Sequence, residues 1–342
     1  MSTQTSKLGH TSYTVALVGG TGSLGKEVAN VFLTSYKPFF SRIIVPARDT
    51  TTVVAKVLTD KGAELVPINP VEPLGSFSKA FEGVDVVINL IGDNLNSYDF
   101  KDAIGEAAIK SGAKVYFPSE FGADHRLNDF PGWDDPLWIW KGQHARKYRQ
   151  LGAGKTKVIA LATGIFLEFF VSPIGPTVGF GTDKILTTAG LPDAKTAVTS
   201  MADIARALAE LTLLSLNPET ASSVPDDVRI AGSNASWQQV INIVQKVRDE
   251  LNMEPRGEIT VQGTDLAAFR EKVRKEHLDK SQPHPFGHLK VLIAEGKLDF
   301  SSKNDNELVN PGESIWKWKT AEDLVRERGG KWMTVEEVVS GR

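Results

Sequence analysis

Along the first half of the chain, short apolar runs rich in β-branched residues alternate with segments whose apolar positions recur every three or four residues. Residues 14–18, TVALV, form the first run and read as a buried strand. After a glycine-rich turn, Val28, Val31, Phe32 and Leu33 recur at helical spacing. The alternation continues with a strand at 42–47, a helix at 53–61, a strand at 64–67, a short helix at 77–81 and a strand within VDVVINLIG. YDFKDAIGEAAIKSG then places Phe100, Ile104, Ala107 and Ala108 on one helical face and ends in glycine, a common helix stop. AKVYFPSEFG predicts a fifth strand with a loop at its carboxyl end, and KVIALATGIF, residues 157–166, a sixth. Strands alternating with helices predict a parallel sheet covered on both faces, and near-continuous apolar strands fit burial on both sides.

Beyond Phe166 the pattern loosens. VSPIGPTVGFGTDKILTTAG is rich in glycine and proline and reads as loop with short strands. Helices are predicted in SMADIARALAELTLLSL, with Ser200 as N-cap, and in SNASWQQVINIVQKVRDEL, opened by Ser236 or Asn234. LAAFREKVRKEHL and TAEDLVRER are helical as well. The expected fold class is therefore α/β: a doubly wound parallel (Rossmann) sheet over residues 1–166, with a lid-like segment at 123–140. A smaller, mostly helical substrate lobe is expected over 167–342, with room for some of its elements to return to the first domain. Ligands of doubly wound sheets sit beyond the carboxyl ends of the strands, so this lobe would close the far side of that crevice.

Composition narrows the partners. The 342 residues are 41% apolar and 24% charged, with a net charge of −3 and no long basic run. That argues against nucleic acid or an anionic membrane as main partner. With no cysteine, disulfides, thiolate nucleophiles and cysteine metal sites are excluded. The opening MSTQTSKLGHTSY lacks the apolar core of a secretory signal, and no run of about 18 apolar residues predicts a membrane span. A cytoplasmic location is the default expectation.

The turn GGTGSLG stands between the first strand and the first helix. Gly20-x-Gly22-x-x-Gly25 has the spacing of a dinucleotide fold: a tight turn, a close backbone approach to a pyrophosphate, and close helix–strand packing. The helix that follows offers N–H groups and a partial positive charge to an anion. Gly19, Gly20, Thr21, Gly22, Ser23 and Leu24 are thus candidate cofactor-binding residues; the alternative is a glycine turn that binds nothing. Strand two ends in Ala47-Arg48-Asp49. Arg48 matches the geometry of a 2′-phosphate, and Lys56 on the next helix adds a second charge, which favours NADPH over NADH. Alternatively, Asp49 is the ribose acid and Arg48 a solvated surface residue.

The short-chain-reductase dyad, a tyrosine with a lysine four residues later, is absent. Tyr13, Tyr36, Tyr98, Tyr116 and Tyr148 are followed at that distance by Leu17, Phe40, Asp102, Glu120 and Gly152. Another proton donor is needed, and the segment after strand five offers Lys141. Taken alone, Lys141 beside Arg146, Lys147 and Arg149 reads as one solvated lysine among several. Yet GGTGSLG, Arg48, PSEFG, Lys141 with Arg146 at the start of a helix, TGIF and AKTAVTSMADIARAL follow one another in a familiar order. In this the chain resembles the isoflavone-reductase-like group, which includes phenylcoumaran benzylic ether reductases and pinoresinol–lariciresinol reductases, in the NmrA-like branch of atypical short-chain reductases. NELVNPG and WKWKTAEDLV are similar to fungal-type members.

The resemblance implies that Lys141 is the general acid or base beside the nicotinamide. A lysine at a partly dry pocket wall loses solvation, which lowers its pKa towards working pH. PSEFG lies where the nicotinamide is expected: Ser119 can hydrogen-bond, Phe121 can pack on a ring, and Glu120 is expected to bond backbone N–H groups. Phe166 of TGIF is a wall for nicotinamide or substrate, or else core. The chain departs from the group in Gly142-Gln143-His144 after the lysine, and in a segment holding Trp133, Trp138 and Trp140. His144 shares a helical face with Lys141 and either tunes it or only packs; the tryptophans either cover a flat aromatic substrate or join the two lobes. His284 and His288 flank Pro285, so no metal site is expected. The expected function is NADPH-dependent reduction of a small aromatic or phenolic substrate by a monomer or homodimer. The alternative is an NADP-binding regulator without catalysis, and a sugar-nucleotide epimerase is disfavoured by the missing dyad.

Overall fold

The sheet at the centre of the molecule has six parallel strands: β1 (Tyr13–Val18), β2 (Phe40–Ala47), β3 (Glu64–Pro67), β4 (Val86–Asn89), β5 (Val115–Phe117) and β6 (Lys157–Val158). Their order is β3-β2-β1-β4-β5-β6, so the winding reverses between β1 and β4. That switch point opens a crevice at the carboxyl ends of both strands. The computed structural model describes residues 8, 11–92, 97–172, 179–182, 185–254, 257–279 and 286–332. β1, β4 and β5 are almost wholly buried because helices cover both faces, whereas β2 carries exposed Ser41 and Arg42 and β3 exposed Glu64; the covering helices are α1 (Ser23–Leu33), α2 (Val53–Asp60), α3 (Pro73–Ala80), α4 (Tyr98–Lys110) and α5 (Pro136–Leu151). Thr52 caps α2 by accepting from the Ala55 amide, and Asp135 caps α5 by accepting from Leu137 and Trp138. The third helix starts before the apolar spacing at 77–81 because Pro73 preorganises its first turn.

The sixth strand read from residues 157–166 is broken into three pieces with three partners. After β6, β7 (Ala160–Ala162) pairs with β12 (Asp227–Arg229), and β8 (Ile165–Phe166) pairs with β11 (Thr196–Thr199). The amides of Thr163 and Gly164 both donate to the Gly122 carbonyl, at 3.0 and 3.1 Å, which turns the chain out of the sheet. Gly164 has φ +66°, and a Cβ there would lie 2.2 Å from the Ala197 carbonyl oxygen. Apart from Lys157 the three pieces are apolar and mostly buried, so the sequence pattern cannot separate them from one strand.

The second half contains more strands than the helical patterning suggests. β11 also pairs with β13 (Ser233–Ala235), and β9 (Gly179–Thr182), β10 (Ile185–Ala189) and β14 (Thr260–Thr264) form another small sheet. Around them pack α6 (Leu167–Phe170), α8 (Trp237–Leu251), α9 (Leu266–Leu278), α10 (Phe286–Ala294) and α12 (Ala321–Glu327), while α11 (Asn306–Val309) places Val309 in the core of the first half. Ser236, not Asn234, caps α8, in a capping box with Gln239. The remaining helix, α7 (Met201–Leu216), returns to the first half: Ile204, Leu208 and Leu211 join Val28 and Phe32 in the core under the sheet. Ser200 caps it, accepting from Asp203 at 3.1 Å. Among the described residues, no helix is long and apolar enough to cross a membrane.

A buried carboxylate ties the two halves together. Asp124 accepts from Arg126 at 2.6 Å and from Arg229 of β12 at 2.7 Å. Burial pushes the Asp124 carboxyl up, but the bonds from the two guanidiniums outweigh it and hold the group at about 2.

Gly164→Ala is expected to destabilise the protein by about 2–4 kcal/mol, from the positive φ and from the clash with a backbone carbonyl. Denaturant unfolding of both proteins checks this; an unchanged midpoint would show that the junction relaxes freely.

Candidate functional site

The crevice at the switch point is built from backbone. Gly20 donates to Leu17 at 3.1 Å and Gly22 to Gly19 at 2.9 Å, which folds the turn tightly. Gly19 has φ +84°, and a Cβ on it would lie 3.0 Å from the Leu90 backbone. A Cβ on Gly25 would lie 2.0 Å from the Gly19 oxygen, so this position holds the helix against the turn. Gly22 precedes α1 in an extended conformation; among the described residues no side-chain bond caps this helix, and its first turn carries no acid. The helix end is thus left for an anion. Gly19, Thr21 and Gly22 line a cleft of about 330 Å³ with Ala47, Arg48, Leu90 and Ile91. Leu24 is buried in the core, and Ser23 is the first residue of α1.

Arg48 is exposed at the rim of this cleft and has no hydrogen-bond or ion-pair partner among the described residues. Asp49 is engaged elsewhere. Its Oδ1 accepts from the Thr51 hydroxyl at 2.6 Å and the Thr51 amide at 2.8 Å, and these bonds hold its carboxyl below the usual range. The acid therefore closes a local turn, and Arg48 is the side chain presented to the cleft. Lys56 is exposed on α2 and does not line the cleft.

A second cavity, of about 340 Å³, adjoins the loops after β5 and β7. Its walls are Phe121, Trp138, Phe166 and Phe169 with Leu137 and two residues of α10, Phe286 and Leu289. Lys141 is the sole charged side chain among the described lining residues and is only 7% exposed. Its basic neighbours differ: Arg146 and Lys147 are exposed, and Arg149 pairs with Asp227. Ser119 does not face this cavity; its hydroxyl donates to the Ile91 carbonyl at 2.6 Å and ties the ends of β5 and β4 together. Glu120 is expected to bond backbone amides, but among the described residues it bonds none. It is buried and paired with the His125 imidazole, at 3.1 Å to Nδ1.

His144 lies on another side of α5 from this cavity. Its Nδ1 is 2.8 Å from Asp102 and its Nε2 3.0 Å from the Tyr116 hydroxyl, so it bridges α4, α5 and β5. The three tryptophans divide. Trp138 lines the cavity; Trp133 packs on Phe130 and His288 and accepts from His288 Nε2 at 2.8 Å; Trp140 stacks on Tyr98 at 4.7 Å. His284 lies outside the described residues, and no metal-binding cluster occurs among those described.

Sequence reasoning passed over Phe286 and Leu289, which come from a helix 120 residues and more beyond Phe166, and Glu168. Glu168 follows the Phe166 wall and accepts from the Met201 amide at 3.2 Å. Burial pushes its carboxyl up to about 7, with Glu27 adding to the rise and Lys319 opposing it. A raised acid favours the protonated folded state. Its contribution is therefore complete below the unfolded value and is lost as pH rises from about 4.5 to 7. Glu168→Gln is expected to remove this loss, leaving the variant about 1–3 kcal/mol more stable than the wild type at pH 8 and near equal at pH 4.5. Parallel denaturation series across that range check the sign.

Comparison with known proteins identifies the family and the fold. The model of the NmrA-like family matches residues 11–255. A curated relative from Gibberella moniliformis, described as an NmrA-like family domain-containing oxidoreductase, is 26% identical over 171 residues, 48% of this chain and 52% of that protein. The chain thus spans about half the length of the curated relative it matches. Among solved structures, AtPrR2 with NADP+ and (+)pinoresinol superposes with a TM-score of 0.71 at 18% identity, covering 94% of this chain and 99% of that one. An isoflavone reductase gives 0.68 at 16% identity, covering 93% and 100%. At these identities the likeness is one of fold.

Proposed function

The chain belongs to the NmrA-like family, and from that premise we propose that it is an NADPH-dependent reductase of a small aromatic or phenolic substrate, with Lys141 as the proton donor or acceptor. The observation that carries this reading is the burial of a single ammonium group in an otherwise aromatic and aliphatic cavity, beyond the carboxyl ends of the same strands whose glycine turn lines the first cleft. A lysine placed so as only to be solvated would not be enclosed there.

The residues present fit a dinucleotide. The glycine turn leaves room where a Cβ would intrude, the α1 N-terminus attracts a pyrophosphate, and the unpartnered Arg48 fork suits a 2′-phosphate. When bound, the reduced nicotinamide supplies a hydride. Phe121 and Phe166 screen the reacting region from water, and Trp138 and Phe169 offer flat faces to an aromatic ring. The volume of about 340 Å³ lies at the small end of ligand cavities, which favours a small ring system. Lys141 Nζ gives a proton to the substrate oxygen as negative charge develops there, or takes one from a phenol so that a benzylic oxygen can leave.

The test follows absorbance of the reduced nicotinamide in purified protein offered phenolic ketones, enones and benzylic ethers. Lys141→Ala is expected to slow turnover by about 10² to 10⁴ while NADPH affinity stays within a few-fold. Lys141→Arg should restore little, since a guanidinium does not release its proton. Unchanged turnover in the alanine variant, or full rescue by arginine, would overturn the role. Tight NADPH binding with no turnover of any of these compounds would favour the regulator.

Arg48→Ala should weaken NADPH by roughly ten- to a hundredfold, the worth of a charge-assisted bond, and leave NADH nearly unchanged. Titration of both cofactors into both proteins reads this. Equal losses would make Arg48 a general support of the cleft.

A further inference from the structure

Outside the proposed catalytic cleft, a cavity of about 430 Å³ lies between α9 and α10. Lys272 and His277 on α9 and Lys290 on α10 line it, with Phe269 and Phe286 supplying aromatic wall. It does not include Lys141, and it meets the Lys141 cavity at Phe286, which faces both. The proposed reduction uses none of its cations.

The charges in it are unbalanced. Glu276 is the one acid among the described lining residues, and it lies 3.8 Å from Lys272. Lys290 is half-buried and has neither a hydrogen bond nor an ion pair among the described residues. Burial, and then the charge of Lys272, push the Lys290 ammonium below its ordinary range, so two like charges influence each other across this space. Nearby Arg270 is already paired with Glu295 and packed over Phe130 and Trp133. A half-buried cation without a counter-charge is an unmet electrostatic demand, and a ligand anion meets it. The cavity is far larger than a bare inorganic anion needs, and its aromatic walls suit a ring.

We propose that this cavity binds a small aromatic acid, its carboxylate between Lys272 and Lys290 and its ring against Phe269 and Phe286. Binding here depends neither on NADPH nor on turnover, so the outcome is separate from that of the proposed reductase activity.

The experiment is calorimetric titration of the full chain with trans-cinnamate and with the isosteric neutral cinnamamide. Cinnamate is expected to bind about tenfold or more tightly than the amide, the worth of a charge-assisted bond. Lys290→Met keeps the aliphatic stem and removes the charge. It should bring cinnamate down to the affinity of the amide and leave the amide within about twofold, which also reports an intact fold. Lys141→Ala should change neither affinity. Equal affinities for the two probes, an unaltered preference in Lys290→Met, or no binding of either probe at millimolar concentration would overturn the proposal. So would loss of cinnamate in Lys141→Ala alone, because the anion would then lie in the neighbouring cavity.

Discussion

One carbonyl oxygen organises the region between the two halves. The Gly122 oxygen accepts from both Thr163 and Gly164, and so binds the loop after β5 to the loop after β7. Gly164 can make that turn because it lacks a Cβ and holds a positive φ against the Ala197 backbone. Thr199 strengthens the joint: its hydroxyl donates to the Thr163 carbonyl at 2.7 Å and accepts from the Gly232 amide at 3.2 Å. The result is that Phe121 and Phe166, 45 residues apart, face one cavity, with β11 and the second lobe attached directly behind them. The Asp124 bonds to Arg126 and Arg229 secure the same loop from its other end.

The position of Lys141 depends on how the opposite side of α5 is held. His144 and Tyr148 bind Asp102, the first through its carboxylate and the second through its backbone carbonyl, while Lys147 adds an ion pair at 3.1 Å. Gly105 lets α4 come close: a Cβ there would lie 2.6 Å from the Tyr148 ring. Because α5 is fixed to α4 along this seam, the side of the helix carrying Lys141 is directed into the cavity, while Arg146 remains outside. His144 is thus a packing and hydrogen-bonding element of the seam. Its buried ring bonds at both nitrogens, to Asp102 and to Tyr116.

Much of this was determined by local sequence. Runs such as TVALV and the apolar face of residues 98–110 specify strand and helix by periodicity, which is a short-range property. The cap Ser200 and the glycine turn were readable because each acts on neighbours within a few positions, and the same short reach narrowed the α8 cap to Ser236 or Asn234. Membership of the family and the placement of a cleft at the β1–β4 switch follow from that same local order.

Tertiary structure alone decided the rest. Residues 158–162 are an unbroken apolar run leading to Ile165 and Phe166, and only the partners Asp226, Gly122 and Val198, all distant in sequence, divide residues 157–166 into three strands. Asp49 closes a local turn with Thr51, but that Arg48 lines a cleft depends on Leu90 and Ile91, which β4 brings alongside it. Whether Lys141 was one more solvated lysine depended on walls from Phe166, Phe286 and Leu289, which no window around Lys141 contains. The raised Glu168 and the uncompensated Lys290 likewise depend on burial and on charges brought near by folding. Periodicity reports which face of an element is buried; it carries no information about which groups meet there, because contact depends on distance in space and not along the chain.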